Sequence, residues 1–375
     1  MRKLRIGVMV TGHFAVPPPK NVIYAPYDVA AAISLGLAQR GHKVSFFAPK
    51  GSKLSGVNII ECPIPALFDP NKAGILFEPE VRDLEREKIE NLWDQYIISR
   101  MYKEALAGKL DALHIHPVDR ALPFASINQT IPTVYTLHDP IYPWRMKLFK
   151  MFYSPNQHYV AISKSQGNSA KGLPIAATIY NGVDLKAFPY SAKAQDRLLF
   201  VGRIKPTKGV AEAVKVAAKT GQKLDILGIF GRYDQDYFMK EVQPFLNEQI
   251  RYIGYVPHDE LYKYYGKAKA VLMPTKWDEP FGLVSVEAMA SGTPVIAFDR
   301  GSMPEIIKDG KTGFLVKDVA TMCKAVSKID EIKREDCRKQ VEEKFSDDRM
   351  VDGYEELFYK LAERKNLKKR IAIPA

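Results

Sequence analysis

Two carboxylates, Glu279 and Glu287, bracket the segment Glu-Pro-Phe-Gly-Leu-Val-Ser-Val-Glu. A Pro-Phe-Gly turn follows the first, and a helical pattern leads into the second. Such a turn leaves several backbone N–H groups free at a helix start, where they can hold an anion. Glu287 falls about two helical turns beyond Glu279, close to the same face, because a helix repeats every ~3.6 residues. One short segment thereby offers acceptors for sugar hydroxyls, donors for a diphosphate and a carboxylate for a ribose diol. That combination suits a nucleotide sugar. The small, apolar run after Glu287 (Ala288-Met289-Ala290-Ser291-Gly292) should pack, and a carboxylate opening it needs a hydrogen-bonding partner.

Gly202-Arg-Ile-Lys-Pro-Thr-Lys-Gly209 directly follows an apolar run. Arg203 and Lys208 flank its turn, and Thr207 is placed to cap the next helix. Two cations beside free helix-start N–H groups make a diphosphate receptor, although a basic solvated loop would read the same in isolation. Thr136-Leu-His-Asp-Pro140 puts His138 at a strand end, where an imidazole can donate hydrogen bonds or move protons near neutral pH. His114 and His116 alternate and so share one face, but no third ligand has suitable spacing for a metal.

These residues need a scaffold that brings strand ends together. Strand-like runs alternate with helical patterns, which argues for parallel α/β sheets. The first series is Leu4–Val10, Val44–Ala48, Ala112–His116, Thr133–His138, His158–Ser163 and Ala176–Tyr180. The second is Leu198–Val201, Leu224–Leu227, Ile250–Ile253, Ala270–Met273, Pro294–Ala297 and Phe314–Val316. Helices are expected over about 28–40, 81–107 and 347–364. The turn-rich stretch from Asn181 to Tyr190 separates the series. This gives two Rossmann-like domains, 1–190 and 191–345, and a terminal helical segment, 346–375. Open parallel sheets bind ligands at the carboxyl ends of their strands, so the architecture predicts a site in a cleft between the domains.

A length of 375 residues suits two such cores. No apolar run approaches the ~20 residues that span a bilayer. The basic, apolar start ends at Thr11-Gly12-His13 without a cleavage pattern and is read as the first strand. Three scattered cysteines fit a reducing compartment. The formal charge of +12 suits a solubilising surface, anionic ligands, an anionic membrane or nucleic acid. It concentrates in Arg145–Tyr153, where basic and bulky apolar residues alternate, and in Arg364–Arg370, with five basic residues in seven. No nucleic-acid-binding motif accompanies them. The loop Val10–Phe14 lacks G-x-G-x-x-G spacing, which argues against a dinucleotide-dependent oxidoreductase.

Taken together, Gly-Arg-x₄-Lys-Gly at 202–209, Gly254-Tyr-Val-Pro257, Pro274 through Glu279-x₇-Glu287, Pro304-Glu-Ile-Ile307 and Gly310-x₂-Gly-Phe-Leu-Val316 resemble the retaining glycosyltransferases of family 4. The likeness runs through the second domain. In the first it is patchier: Arg40-Gly-His-x-Val44, His138-Asp139, Ala161-Ile-Ser163 and Asn181-Gly-Val-Asp184. It implies the GT-B fold, with the donor held mostly by the second domain and the last helix crossing back to the first. Arg203 and Lys208 match the diphosphate binders, Glu287 the ribose binder, and Glu279 the acid at the transferred sugar. Backbone around Phe281, Gly282 and Leu283 would meet that sugar and its phosphate, and Tyr255 and Val256 the base. His138 matches the first-domain histidine beside the sugar.

The resemblance further implies metal-independent front-face transfer, with no cofactor beyond the donor substrate, in which leaving-group stabilisation is the central catalytic term. Asp234-Gln-Asp236 is the metal signature of another glycosyltransferase fold, and here it is read as helix capping. Relatives carry a Gly-Gly pair in the first-domain loop. Pro17–Tyr27 has none, with Ala25 as a small residue there and Gly12 earlier in the loop as the position open to the donor.

The expected activity is retaining transfer of a hexose from a UDP- or GDP-linked donor to an acceptor that is a glycan, a lipid or a small molecule. A non-catalytic nucleotide-sugar-binding subunit and a GT-B epimerase are the alternatives. The expected location is cytoplasmic, with peripheral contact to anionic lipid at the inner membrane face and no nucleic-acid partner.

Overall fold

A computed structural model of the chain describes residues 2–19, 24–67, 83–128 and 130–371, with backbone alone at 83, 84, 86 and 364–371. Part of the Pro17–Tyr27 loop and the basic side chains of 364–370 lie outside the described residues. The chain divides into two units, one of residues 1–162, 167–179 and 350–375, the other of 163–166 and 180–349.

The first unit is built on β1 (Arg5–Met9), α1 (Ala25–Gln39), β2 (Lys43–Pro49), β3 (Asn58–Cys62), α2 (Asp83–Leu106), β4 (Ala112–Ile115) and α3 (Val118–Ile127). It continues with β5 (Thr133–Leu137), α4 (Pro143–Met151), β6 (Gln157–Ala161), α5 (Lys164–Ser169, of which 164–166 fall in the second unit) and β7 (Ile175–Thr178). The seven strands are all parallel, in the order β3-β2-β1-β4-β5-β6-β7. Because side chains alternate across a strand, each central strand feeds two cores. Ile6, Val8, Ala112 and Val134 face one, with residues of α1; Met9, Leu113, Ile115, Tyr135 and Leu137 face the other, with residues of α2 and α3.

The second unit contains β8 (Leu198–Val201), α6 (Val210–Thr220), β9 (Leu224–Leu227), α7 (Gln235–Glu241), β10 (Ile250–Gly254), α8 (Tyr262–Tyr265) and β11 (Ala270–Met273). Then follow α9 (Leu283–Ala290), β12 (Val295–Phe298), α10 (Met303–Ile306), β13 (Gly313–Val316), α11 (Val319–Val326), α12 (Arg334–Lys344) and α13 (Asp347–Ile371). Its parallel sheet has the order β10-β9-β8-β11-β12-β13. The order reverses between β8 and β11, and in the first unit between β1 and β4. At such reversals the two flanking loops diverge and leave a crevice.

From Met350 onward α13 belongs to the first unit. Met350, Val351, Tyr354, Leu357, Phe358 and Leu361 recur at helical spacing and are buried in the α1 core. Burying each such side chain contributes about 1.5–3 kcal/mol, enough to hold this stretch of the helix in place.

Candidate functional site

In the second unit the crevice lies between the loops that follow β8 and β11. Gly209, the N-cap of α6, has φ 76°, and a Cβ there would sit 1.9 Å from the Pro274 carbonyl oxygen. Only glycine lets the loops approach this closely. The Lys276 N–H donates to the Thr207 carbonyl at 2.8 Å and stitches them together. With Gly209 at the cap, Thr207 makes no side-chain cap; it lies in the tight turn Pro206–Lys208.

This approach sets Lys208 against Glu279. The ammonium donates to the carboxylate at 2.6 Å, with the side chains 18% and 14% exposed. Below them lies the Trp277 ring, its centroid 5.1 Å from the Lys208 Nζ and 5.8 Å from the Lys205 Nζ. Attraction to the indole face holds both ammonium groups at one place. Burial, then the charges of Arg203 and Lys208, lowers the pKa of Lys205. Arg203 is exposed and forms no ion pair among the described residues. Three cations therefore crowd one loop, and Glu279 directly pairs with one of them. The arrangement is ready for more negative charge.

Helix α9 opens beside this pair. Its N-cap, Gly282, has φ 95° and offers no side-chain cap, so first-turn N–H groups lack a side-chain acceptor. Phe281 is buried against Tyr180 and Phe345, and its carbonyl takes the Ser302 hydroxyl. It contributes packing as well as backbone. Leu283 begins the helix and is half-buried.

Glu287 sits in the second turn of α9 and is buried. It accepts from the Tyr265 hydroxyl at 2.8 Å and pairs with the His258 Nε2 at 2.9 Å. Burial, then Glu287, keeps the Tyr265 phenol protonated well above its usual range. The sequence gives no sign of these partners, which come from α8 and the loop after β10. Tyr255 and Val256 lie in that same loop, both half-buried.

In the first unit, His138 follows β5 and His116 follows β4, on neighbouring strands. The His116 Nδ1 and His138 Nε2 are 2.7 Å apart. His114 Nε2 bonds the Thr136 hydroxyl at 2.8 Å, and that hydroxyl meets the Tyr354 hydroxyl at 2.6 Å. Burial lowers His114 to about 3, with the charge of His138 adding. Burial and then Arg145 lower His138 to about 3 as well. Among the described residues no group of three His, Cys, Asp or Glu side chains is arranged to hold a metal ion.

At the β1–β4 reversal, Gly12 is turned inward. Its N–H donates to the buried carboxylate of Asp94 at 2.7 Å, which also accepts from the Thr11 hydroxyl and from Arg120. Gly12 was expected to face the donor, but its N–H is occupied by this bond. Burial lowers His13 to about 4 against the pull of Asp94, with Arg120 adding to it. In α4, Arg145 and Phe149 turn inward, and Arg145 bonds Asp119 at 2.9 Å. Trp144, Lys147 and Met151 point outward, Trp144 being 58% and Met151 74% exposed. Asp234 makes no side-chain cap, because the tight turn Arg232–Asp234 runs straight into α7.

Two family descriptions match the chain: “Glycosyltransferase Family 4” over residues 29–187 and “Glycosyl transferases group 1” over residues 185–347. An uncharacterised 41.2 kDa protein in the cps region of Klebsiella pneumoniae is 35% identical over 172 residues, 44% of this chain and 47% of that protein. A Mycobacterium tuberculosis glycogen synthase is 31% identical over 170 residues, 42% of this chain and 40% of its own length. A D-inositol 3-phosphate glycosyltransferase of Paenarthrobacter aurescens is 25% identical over 76% of this chain and 78% of its own. The first two matches thus span about half or less of the relatives' lengths.

Among solved structures, a sucrose-phosphate synthase from Thermosynechococcus elongatus superposes with TM-score 0.76 at 19% identity, over 96% of this chain and 100% of that one. HepE of Anabaena, in complex with UDP, gives 0.68 at 16% identity, over 95% and 100%. Two adjoining family matches from residue 29 to 347 and a pair of Rossmann-like parallel sheets agree: the chain belongs to the family-4 glycosyltransferases and has the GT-B fold.

Proposed function

We propose that the protein is a retaining, metal-independent glycosyltransferase that moves a hexose from a UDP- or GDP-linked donor to an acceptor hydroxyl. The observation that carries this reading is the Lys208–Glu279 pair at 2.6 Å, set in a loop that holds two further cations and faces an α9 start without a side-chain cap. The complexes of HepE with UDP and with UDP-glucose support a nucleotide donor in this fold.

In this reading the donor diphosphate settles against Arg203 and Lys208 and the first N–H groups of α9. Glu279 then leaves Lys208 for the hydroxyls of the transferred sugar, Glu287 takes the ribose diol, and the main chain at Tyr255 and Val256 meets the base. The bond from the sugar C1 to the phosphate oxygen breaks, and the acceptor oxygen bonds C1 on the same face. The acceptor proton passes to an oxygen of the leaving diphosphate. Arg203 and Lys208 stabilise the charge that develops there, the work a metal ion would otherwise do. His138 is assigned to the transferred sugar as a hydrogen-bonding partner.

The outward face of α4 extends the proposal. Trp144, Lys147 and Met151 recur at helical spacing, flanked by exposed Tyr142, Lys150 and Tyr153. Aromatic and basic side chains together suit an anionic lipid surface. No helix among the described residues is long and apolar enough to cross a membrane.

The test of the reaction is incubation with a panel of UDP- and GDP-hexoses and candidate acceptors, followed by NMR of the product. A product with the donor's anomeric configuration supports the reading. An inverted product overturns the retaining mechanism, and donor binding without turnover favours the binding-subunit alternative.

A further inference from the structure

The pair His116–His138 has one shared proton to place, and the surroundings decide where it goes. The His116 Nδ1 and the His138 Nε2 lie 2.7 Å apart with their rings nearly parallel, at 16°. One nitrogen donates and the other accepts. The opposite nitrogen of His116, Nε2, is buried and has no hydrogen-bond partner among the described residues. Its neighbour His114 lies ring to ring at 4.4 Å, and the Tyr354 and Phe358 rings pack against His114 in turn. His114 Nδ1, also buried, is likewise unpartnered.

A neutral imidazole carries one N–H and one bare nitrogen. If His138 donated from Nε2, His116 would accept at Nδ1 and carry its own proton on Nε2. That N–H would be buried with no acceptor, a situation native structures almost never tolerate. If His116 donates from Nδ1, its unpartnered Nε2 is a bare lone pair, and no N–H is orphaned. The His138 Nε2 is then the acceptor, so its proton must sit on Nδ1. The low pKa of His138, about 3, keeps the ring neutral near neutral pH.

We infer that His116 is a positioning residue that fixes His138 as the Nδ1–H tautomer, so that His138 meets its ligand as a hydrogen-bond donor and not as a base. This rests on the reading that His138 serves the transferred sugar. It adds that the acceptor proton does not go to His138, whose remaining nitrogen already bears one, and it leaves the diphosphate oxygen as the destination. His114, two residues earlier in the chain, takes the opposite tautomer by the same reasoning. Its unpartnered Nδ1 is the bare nitrogen, and its Nε2–H donates to Thr136, so no buried N–H of His114 or His116 is left without an acceptor.

The tautomer can be read without any turnover. Protein labelled with ¹⁵N-histidine is examined by long-range ¹H–¹⁵N correlation, and the His138 signals are assigned by their loss in His138→Gln. A protonated Nδ1 with a bare Nε2 on His138, and the same pattern on His116, is the expected result. In His116→Phe the His138 pattern should move toward the Nε2–H form that free imidazoles favour. A wild-type His138 carrying its proton on Nε2 overturns the inference, whatever the variant does.

Activity gives a second readout. A donor at His138 predicts that His138→Gln, which keeps an N–H donor, retains at least about ten times the kcat of His138→Ala. Equal loss in both variants overturns the donor role. Absence of turnover in the wild type would instead count against the transferase reading and leave the tautomer result standing.

Discussion

Glu287 holds two structural partners and, in the proposed function, one ligand, so two substitutions should separate these roles. Glu287→Ala removes the acceptor for the Tyr265 hydroxyl, which is fully buried, and the Glu287 partner of His258, whose side chain is 52% exposed and within reach of water. A buried hydroxyl left without its partner costs about 1–3 kcal/mol. For a unit of this size that lowers the unfolding temperature by roughly 2–4 °C per kcal/mol.

Glu287→Gln keeps a carbonyl oxygen for Tyr265 and an amide for His258, and should unfold within about 1 kcal/mol of the wild type. The ligand arithmetic differs. A hydrogen bond to a charged group contributes about 1.5–3 kcal/mol and a neutral one about 0.5–1.5, so Gln should weaken nucleotide binding by roughly tenfold. Ala should weaken it by about a hundredfold. Thermal unfolding with increasing UDP and GDP reads both quantities, since a ligand that binds only the folded state raises the midpoint by mass action. An Ala variant that keeps the full nucleotide-dependent rise refutes the ribose assignment. A Gln variant as unstable as Ala refutes the hydrogen-bond account of Tyr265.

Three further outcomes follow. Lys208→Ala should lower kcat by about 10²–10³, as removal of one transition-state donor does, because it takes away diphosphate stabilisation; product-formation rates check this. His13, His114, His116 and His138 all have folded pKa values below the unfolded value of about 6.5. The unfolded chain therefore binds protons first as pH falls, so stability is full above about 6.5 and drains toward the folded values, about 4 for His13 and about 3 for His114 and His138. Unfolding midpoints between pH 5 and 6.5, above the range where carboxylates titrate, should fall with pH, and a flat profile contradicts the buried neutral cluster. Vesicle co-sedimentation should show binding to anionic but not zwitterionic lipid. That binding should weaken with salt and be reduced several-fold by Trp144→Ala with Lys147→Ala.

Buried parallel strands read as plain apolar runs, so Leu198–Val201 and Ala270–Met273 are visible from composition alone. The strand Asn58–Cys62 is not, because it lies at the sheet edge, half-exposed, with polar Asn58 and Glu61 among its five residues. The first long helix begins at Ala25, three residues before the expected start, since Pro26 fits a first helical turn. Lys208 and Glu279 were each legible as residues of a loop that follows an apolar run, and the adjacency of β8 and β11 makes them partners. Trp277, Tyr265 and His258 could not be found this way. Their roles depend on which strands become neighbours, a property of topology rather than of local sequence. Gly12 shows the converse, since a glycine in a strand-end loop invites a ligand until Asp94, 82 residues away, is seen to occupy its N–H.

In the proposed function the cationic loop at 203–208 and the start of α9 hold a nucleoside diphosphate. Calorimetric titration of the purified protein with UDP, GDP and ADP, alongside the Lys208→Ala variant, tests it most directly. Micromolar binding of UDP or GDP, about −8 kcal/mol, lost or greatly weakened in the variant, is the expected result. Binding of no diphosphate, or equal binding by the variant, would contradict it.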